Sequence, residues 1–210
     1  MKRAWHSWYM DWVDITANTI GESGGSMEDA TLTNYFEDLE DVTVWASLQA
    51  WYKEPFVIAG HSLGGASALM YAAKYPARVK AIVPVSSFIG GELRLETLDK
   101  DEVQEWKKKG FIEEVSKSKP GVVKKISWNF MEDAMQHDMR TLADKITCPA
   151  LFIVGSEDDM TPAKHQEIII SHLNSPAELH VVEGMEHSPR IPEHNAELKG
   201  ILLAWLHDLS

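Results

Sequence analysis

Four short runs rich in valine and isoleucine, Phe56–Ala59, Ala81–Val85, Ala150–Val154 and Glu178–Val182, are separated by stretches of helical character. That alternation restricts the chain to an α/β architecture, a mostly parallel sheet flanked by helices, because parallel neighbours need a crossover that lies on a sheet face. The connecting segments fit this reading. Ser62 to Tyr75 is a small-residue helix that ends before Pro76, Thr161 to Leu173 is a second helix with Pro162 near its start, and a last helix runs from about Glu193 to Leu209. Upstream, Asn34 followed by Glu37 reads as a capping box opening an amphipathic helix with Phe36, Leu39, Trp45 and Leu48 inward.

With 210 residues, 44% of them hydrophobic and 25% charged, the chain can bury one sizeable core, so a single domain over 1–210 is expected. Thirty-two acidic residues against twenty basic ones give a net charge of −12, which repels nucleic-acid phosphates and anionic lipid. Neither nucleic acid nor membrane insertion is expected. No stretch approaches the length of a membrane span, and no signal-peptide apolar run follows Lys2 and Arg3. The lone cysteine, Cys148, heads an apolar run and reads as a buried thiol. A cytoplasmic location is the default expectation.

The stretch from Phe88 to Lys145 breaks the rhythm, being far longer than a usual strand-to-helix connection. It is expected to be an inserted element, 88–145, helical in character. Its first half, Asp101 to Ser118, is charged and helix-like, Pro120-Gly121 makes a break, and the second half carries Trp128, Phe130, Met131, Met135 and Met139 among charges. These apolar residues would pack the insert onto the core, and the insert would also cover a pocket.

The chemistry enters with Phe56-Val57-Ile58-Ala59-Gly60-His61-Ser62-Leu63-Gly64-Gly65, a strand, then G-x-S-x-G, then a helix of small residues. This is a nucleophile elbow in the context that it requires. The turn puts Ser62 in a strained conformation at the carboxyl edge of the sheet, and a Cβ at Gly60 or Gly64 is expected to collide with the neighbouring strand or helix. The helix N-terminus favours negative charge there, and the Leu63 N–H is placed to donate to an oxyanion.

A serine nucleophile needs a base, and the base needs an acid to orient it. The loop Gly155-Ser156-Glu157-Asp158-Asp159-Met160-Thr161-Pro162 follows the third run, and Asp158 is the expected acid, with Asp159 and Glu157 as rivals. Any of them could instead cap the helix near Thr161. After the fourth run comes Glu183-Gly184-Met185-Glu186-His187-Ser188-Pro189, which makes His187 the expected base and His194 its main rival. His61 belongs to the elbow and points away from Ser62. Without a Cys/His cluster or H-E-x-x-H spacing, no metal site is expected.

Ser62 in GHSLGG, Asp158 in G-S-E-D-D-M-T-P and His187 in G-M-E-H-S-P resemble the α/β-hydrolase superfamily, from roughly Ile15 to the C-terminus. Gly21-Glu22-Ser23-Gly24-Gly25 is similar to the G-x-G-E-S-x-G loop after the fourth strand of esterase and lipase-like members. The resemblance implies Ser–Asp–His acyl transfer without a cofactor, and an insert after the sixth strand that serves as a cap. Members normally have three strands before that loop, with an oxyanion loop after the third, yet only 20 residues precede Gly21 here. The strand Phe56–Ala59 would then lack a neighbour in the sheet centre. Tyr9–Thr16, a second copy of the chain in a homodimer, or a further N-terminal piece are the candidates to cover it.

The expected function is hydrolysis of a carboxylic ester, a small molecule with a small or medium acyl group, through an acyl-enzyme. Trp128, Phe130 and Met131 are candidates to line the acyl pocket. The alternative is a weakly active or non-catalytic binding protein without a complete oxyanion hole, since losing one donor costs about 10²–10³ in turnover.

Overall fold

The computed structural model describes residues 27–115, 121 and 123–209. Tyr9–Thr16 and the Gly21–Gly25 loop lie outside the described residues.

The four apolar runs form strands β1 (Phe56–His61), β2 (Val79–Val85), β5 (Ala150–Gly155) and β6 (Ala177–Val182), all parallel and in the order β1-β2-β5-β6. Every residue of β5 is buried, and so is every residue of β2 except Lys80, as befits parallel strands covered on both faces. Alternation assigns their side chains to two cores. Ile82, Ala150 and Phe152 face a layer containing α1 (Leu32–Ser47), α2 (Leu63–Lys74) and α6 (Ala163–His172). Val83, Val85, Leu151 and Ile153 face α7 (Pro192–Asp208) through Leu198, Ile201, Leu202 and Trp205. Among the described residues β1 stands at one end of the sheet, with Ile58 buried and Ala59 exposed.

Helix α1 begins earlier than the sequence reading places it. Thr31 is the N-cap, its hydroxyl accepting from the Asn34 N–H at 3.1 Å, so Asn34 lies inside the first turn rather than capping it. The inward face is Leu32, Phe36, Leu39, Thr43 and Ala46, a row at helical spacing. Trp45 and Leu48 fall off that row and are 55% and 79% exposed, which corrects their expected inward placement.

Between β2 and β5 lies the inserted segment. It holds α3 (Gly91–Leu95), α4 (Lys100–Lys109), an antiparallel pair β3 (Phe111–Val115) and β4 (Val123–Ser127), then α5 (Trp128–Ala134) and a 3₁₀ turn at Met139–Lys145. The helix expected over Asp101 to Ser118 stops at Lys109 because Gly110 takes a left-handed conformation, φ 81°, that closes the last turn. The chain then pairs Glu113 with Lys125 and Glu114 with Lys124, opposite charges facing across the two strands. The segment has a small core of its own, Trp106, Trp128 and Met131, with the two indoles edge-on at 5.3 Å. Its last part, from Ala134 through Met139, Ala143 and Ile146, joins the main core instead.

Candidate active site

Strand β1 ends at His61, and the chain turns at Ser62 with φ 55° and ψ −115°, a left-handed conformation that strains any residue other than glycine. The turn is held by the Ser62 N–H donating to Val85 O at 2.9 Å and by the Ser62 carbonyl accepting from Phe88 N–H at 3.1 Å. The first link extends the β1–β2 ladder, and the second ties the start of the inserted segment to the elbow. Gly60 is required, since a Cβ there would stand 2.2 Å from Gly64 O. Gly64 is not: a Cβ at that position meets nothing within 4 Å, which corrects the expected collision. Leu63 opens α2, so its N–H lies in the first turn, where no intrahelical acceptor exists.

Three side chains from three strand ends meet here. His187 Nε2 lies 3.0 Å from Ser62 Oγ, and its Nδ1 lies 3.0 and 3.1 Å from the two carboxylate oxygens of Asp158. The structure brings Asp158 to the histidine, while Asp159 and Glu157 are exposed. The rival base His194 sits near Gly184, at the start of α7. Trp128 and Met131 are buried in the inserted segment's own core, and Phe130 is partly buried against it.

Asp158 stands in both places that the sequence left open, against the His187 ring and at the turn before α6. Its Oδ1 accepts from the N–H groups of Met160 (3.0 Å) and Thr161 (2.8 Å), which organises the turn before α6. Its Oδ2 accepts from the Thr161 hydroxyl at 2.9 Å. Burial alone would raise its pKa, but the hydrogen bond and charge of His187 and the Thr161 N–H outweigh it, so the carboxyl is held well below the usual carboxylate range. Thr161 is a residue that the sequence reading passed over. Its Oγ1 also lies 2.9 Å from Ser86 O and 3.2 Å from His187 Nδ1, bridging the ends of β2 and β5.

The loop carrying His187 leaves β6 under tight constraint. Gly155, the last residue of β5, lies so close that a Cβ would stand 1.8 Å from Met185 O. Only glycine permits this approach, and Met185 itself is fully buried. The Glu157 N–H donates to Met185 O at 3.1 Å, and the Gly184 N–H donates to Ser156 Oγ at 2.8 Å.

His61 also belongs to this surrounding. Burial, and then the neighbouring His187, push its pKa down to about 4. An unfolded histidine titrates near ~6.5, so on acidification the unfolded chain takes up a proton that the folded chain refuses. The contribution is complete above pH ~6.5 and is lost as the pH falls towards 4, amounting to at most about 3 kcal/mol for this shift. Urea titrations are therefore expected to show a steeper loss of stability between pH 6.5 and 4 in the parent than in His61→Gln. Parallel curves would remove His61 from the acid response.

Among the described residues no group of three or more His, Cys, Asp or Glu side chains gathers as a metal site, and no helix is long and apolar enough to cross a membrane.

The family model described as the α/β-hydrolase fold matches residues 20–117. No curated protein sequence matches significantly. Among solved structures, the chain is similar to α/β-hydrolase domain-containing protein 10 from mouse, at 21% identity and a TM-score of 0.70, covering 91% of this chain and 75% of that one. It is also similar to Est1E from Butyrivibrio proteoclasticus with ferulic acid bound, at 20% identity and 0.71, covering 90% and 74%. A third is the monoacylglycerol lipase of Paleococcus ferrophilus, at 20% identity and 0.69, covering 90% and 80%.

Proposed function

We propose that this chain, whose residues 20–117 match the α/β-hydrolase family model and whose fold matches solved α/β-hydrolase structures, is a serine hydrolase of that superfamily that cleaves carboxylic esters through an acyl-enzyme. The observation that carries this reading is the continuous hydrogen-bonded row from Ser62 Oγ through the His187 ring to Asp158, with Ser62 at a strained strand-to-helix turn.

In the proposed reaction Ser62 Oγ forms a bond to the ester carbonyl carbon while its proton passes to His187 Nε2. The carbonyl oxygen becomes an oxyanion, towards which the Leu63 N–H donates at the positive end of α2. Collapse of this intermediate breaks the carbon–alkoxy bond, and His187 returns the proton to the departing alcohol. Water then attacks the acyl-enzyme, giving its proton to His187, and the acid leaves as Ser62 regains its hydrogen. Asp158 stays ionised throughout, fixing the tautomer with the proton on Nδ1 and stabilising the imidazolium.

The substrate is proposed to be a small-molecule ester with a small or medium acyl group. Supporting this class, one structural neighbour holds ferulic acid and another is a monoacylglycerol lipase. The segment 88–145 is proposed to cap the site, because it leaves from the end of β2, where the Phe88 N–H is bonded to the Ser62 carbonyl. Labelling with a fluorophosphonate, together with turnover of p-nitrophenyl acetate and butyrate, tests the proposal. Labelling of Ser62 with turnover of either ester supports it, whereas labelling without turnover makes the chain a binding protein that keeps a reactive serine.

A further inference from the structure

His61 follows β1 to its end, and strand alternation turns its side chain away from Ser62. What it meets is His187. The His61 Nε2 lies 2.7 Å from the backbone carbonyl of His187, and the two rings are 4.9 Å apart at 48°. A carbonyl oxygen only accepts, so the proton of this bond sits on His61 Nε2. We propose that His61 is a positioning residue, which by donating Nε2–H to the His187 carbonyl fixes the main chain from which the general base is hung. The proposal rests on the serine-hydrolase reading above.

The reason lies in how far the base must reach. His187 comes from the loop after β6, at the opposite end of the strand order from β1. Three strand spacings, about 14 Å, separate those ends, so the loop has to cross above β5 and β2. Its beginning is anchored at the end of β5 by the Gly184 and Met185 contacts. Its far side is anchored where Asn195 Nδ2 donates to Pro189 O at 3.1 Å. Between these anchors, Asp158 and Thr161 hold the imidazole ring, but a ring hinged at Cβ still travels with its backbone. The His61 bond supplies the missing constraint at the residue itself. It originates on the residue next to Ser62, so base and nucleophile are referenced to one strand and move together if that strand shifts.

A neutral donor is needed for this work. A charged ring 4.9 Å from His187 would oppose the proton uptake on which the proposed chemistry depends. Burial keeps His61 uncharged at neutral pH.

Two substitutions that carry the same amide separate this role from mere packing. In His61→Gln the amide nitrogen reaches the place of Nε2, while in His61→Asn it falls short, near the place of Nδ1. On p-nitrophenyl butyrate, His61→Asn is expected to lose about 10- to 100-fold in kcat with KM within about twofold, and His61→Gln to stay within about threefold of the parent. The Nδ1–H proton resonance of His187 reads the same geometry without turnover. It should persist in the Gln variant and broaden through solvent exchange in the Asn variant. Equal kcat in the two variants, or loss of cooperative unfolding in both, overturns the proposal. Ser62→Ala run alongside keeps the two readings apart. Turnover surviving in that variant, or missing from the parent, strikes at the hydrolase reading, and the proton resonance still decides the role of His61.

Discussion

Replacing Ser62 with alanine is expected to lower ester turnover by at least about 10⁴-fold, with the melting temperature within about 3 °C of the parent. The substitution deletes the oxygen that stands 3.0 Å from His187 Nε2 and leaves the rest of the turn in place. The strained backbone already carries a Cβ at φ 55°, so alanine adds no new conflict, and the main-chain bonds to Val85 and Phe88 are untouched. Steady-state kinetics on p-nitrophenyl butyrate and a thermal melt measure both parts. Undiminished turnover in a folded variant would remove Ser62 from the nucleophile's role.

Asp158→Asn should cost about 10⁴ in kcat, whereas Asp159→Asn should stay within about twofold. An asparagine can still accept from the Met160 and Thr161 N–H groups, so the turn before α6 is retained. What it loses is the anionic face that receives the Nδ1 proton of His187. An amide NH₂ presented there favours the opposite tautomer, with the proton on Nε2, where it blocks abstraction from Ser62. Asp159 is exposed and its carboxylate lies outside the row. Equal losses in the two variants would move the acid from one position to the other.

The parts of the fold that were legible in the sequence are those governed by local chemistry. The runs of β2 and β5 announced parallel strands because burial on both faces leaves no room for alternation with polar residues. The elbow was legible because it needs a serine between glycines at the junction of a strand and a small-residue helix, and the two later loops followed from strand ends. The misreadings have physical causes too. Asp101 to Ser118 carries charges along its whole length, and charge does not distinguish a helix from an exposed hairpin. The decisive sign was Gly110 together with the Glu113-Glu114 and Lys124-Lys125 blocks, which pay off only when the strands pair. Trp45 and Leu48 are as apolar as the buried residues of α1, but register decides which side chains face the core, and the row through Leu32, Phe36 and Ala46 excludes both. Contacts of Thr161 and His61 with His187 join residues 26 and 126 positions apart, and no local pattern encodes such separations.

The spacing of these contacts along the chain also bears on how the molecule is made. Ser62 and His187 are separated by 125 positions, and Asp158 and His187 by 29. Helices such as α2 can form from neighbours alone, but the Ser62–His187–Asp158 row exists only after four parallel strands have found their order, and loop closure over such lengths is slow. Secondary structure is therefore expected to return ahead of fluorophosphonate reactivity when the denatured chain is diluted into buffer, a delay that stopped-flow circular dichroism and timed labelling would measure. Simultaneous recovery would mean that the sheet assembles in one step with its helices. With a delay, a newly made chain spends an interval compact but without the Ser62–His187–Asp158 row, and strand β1 is translated long before His187.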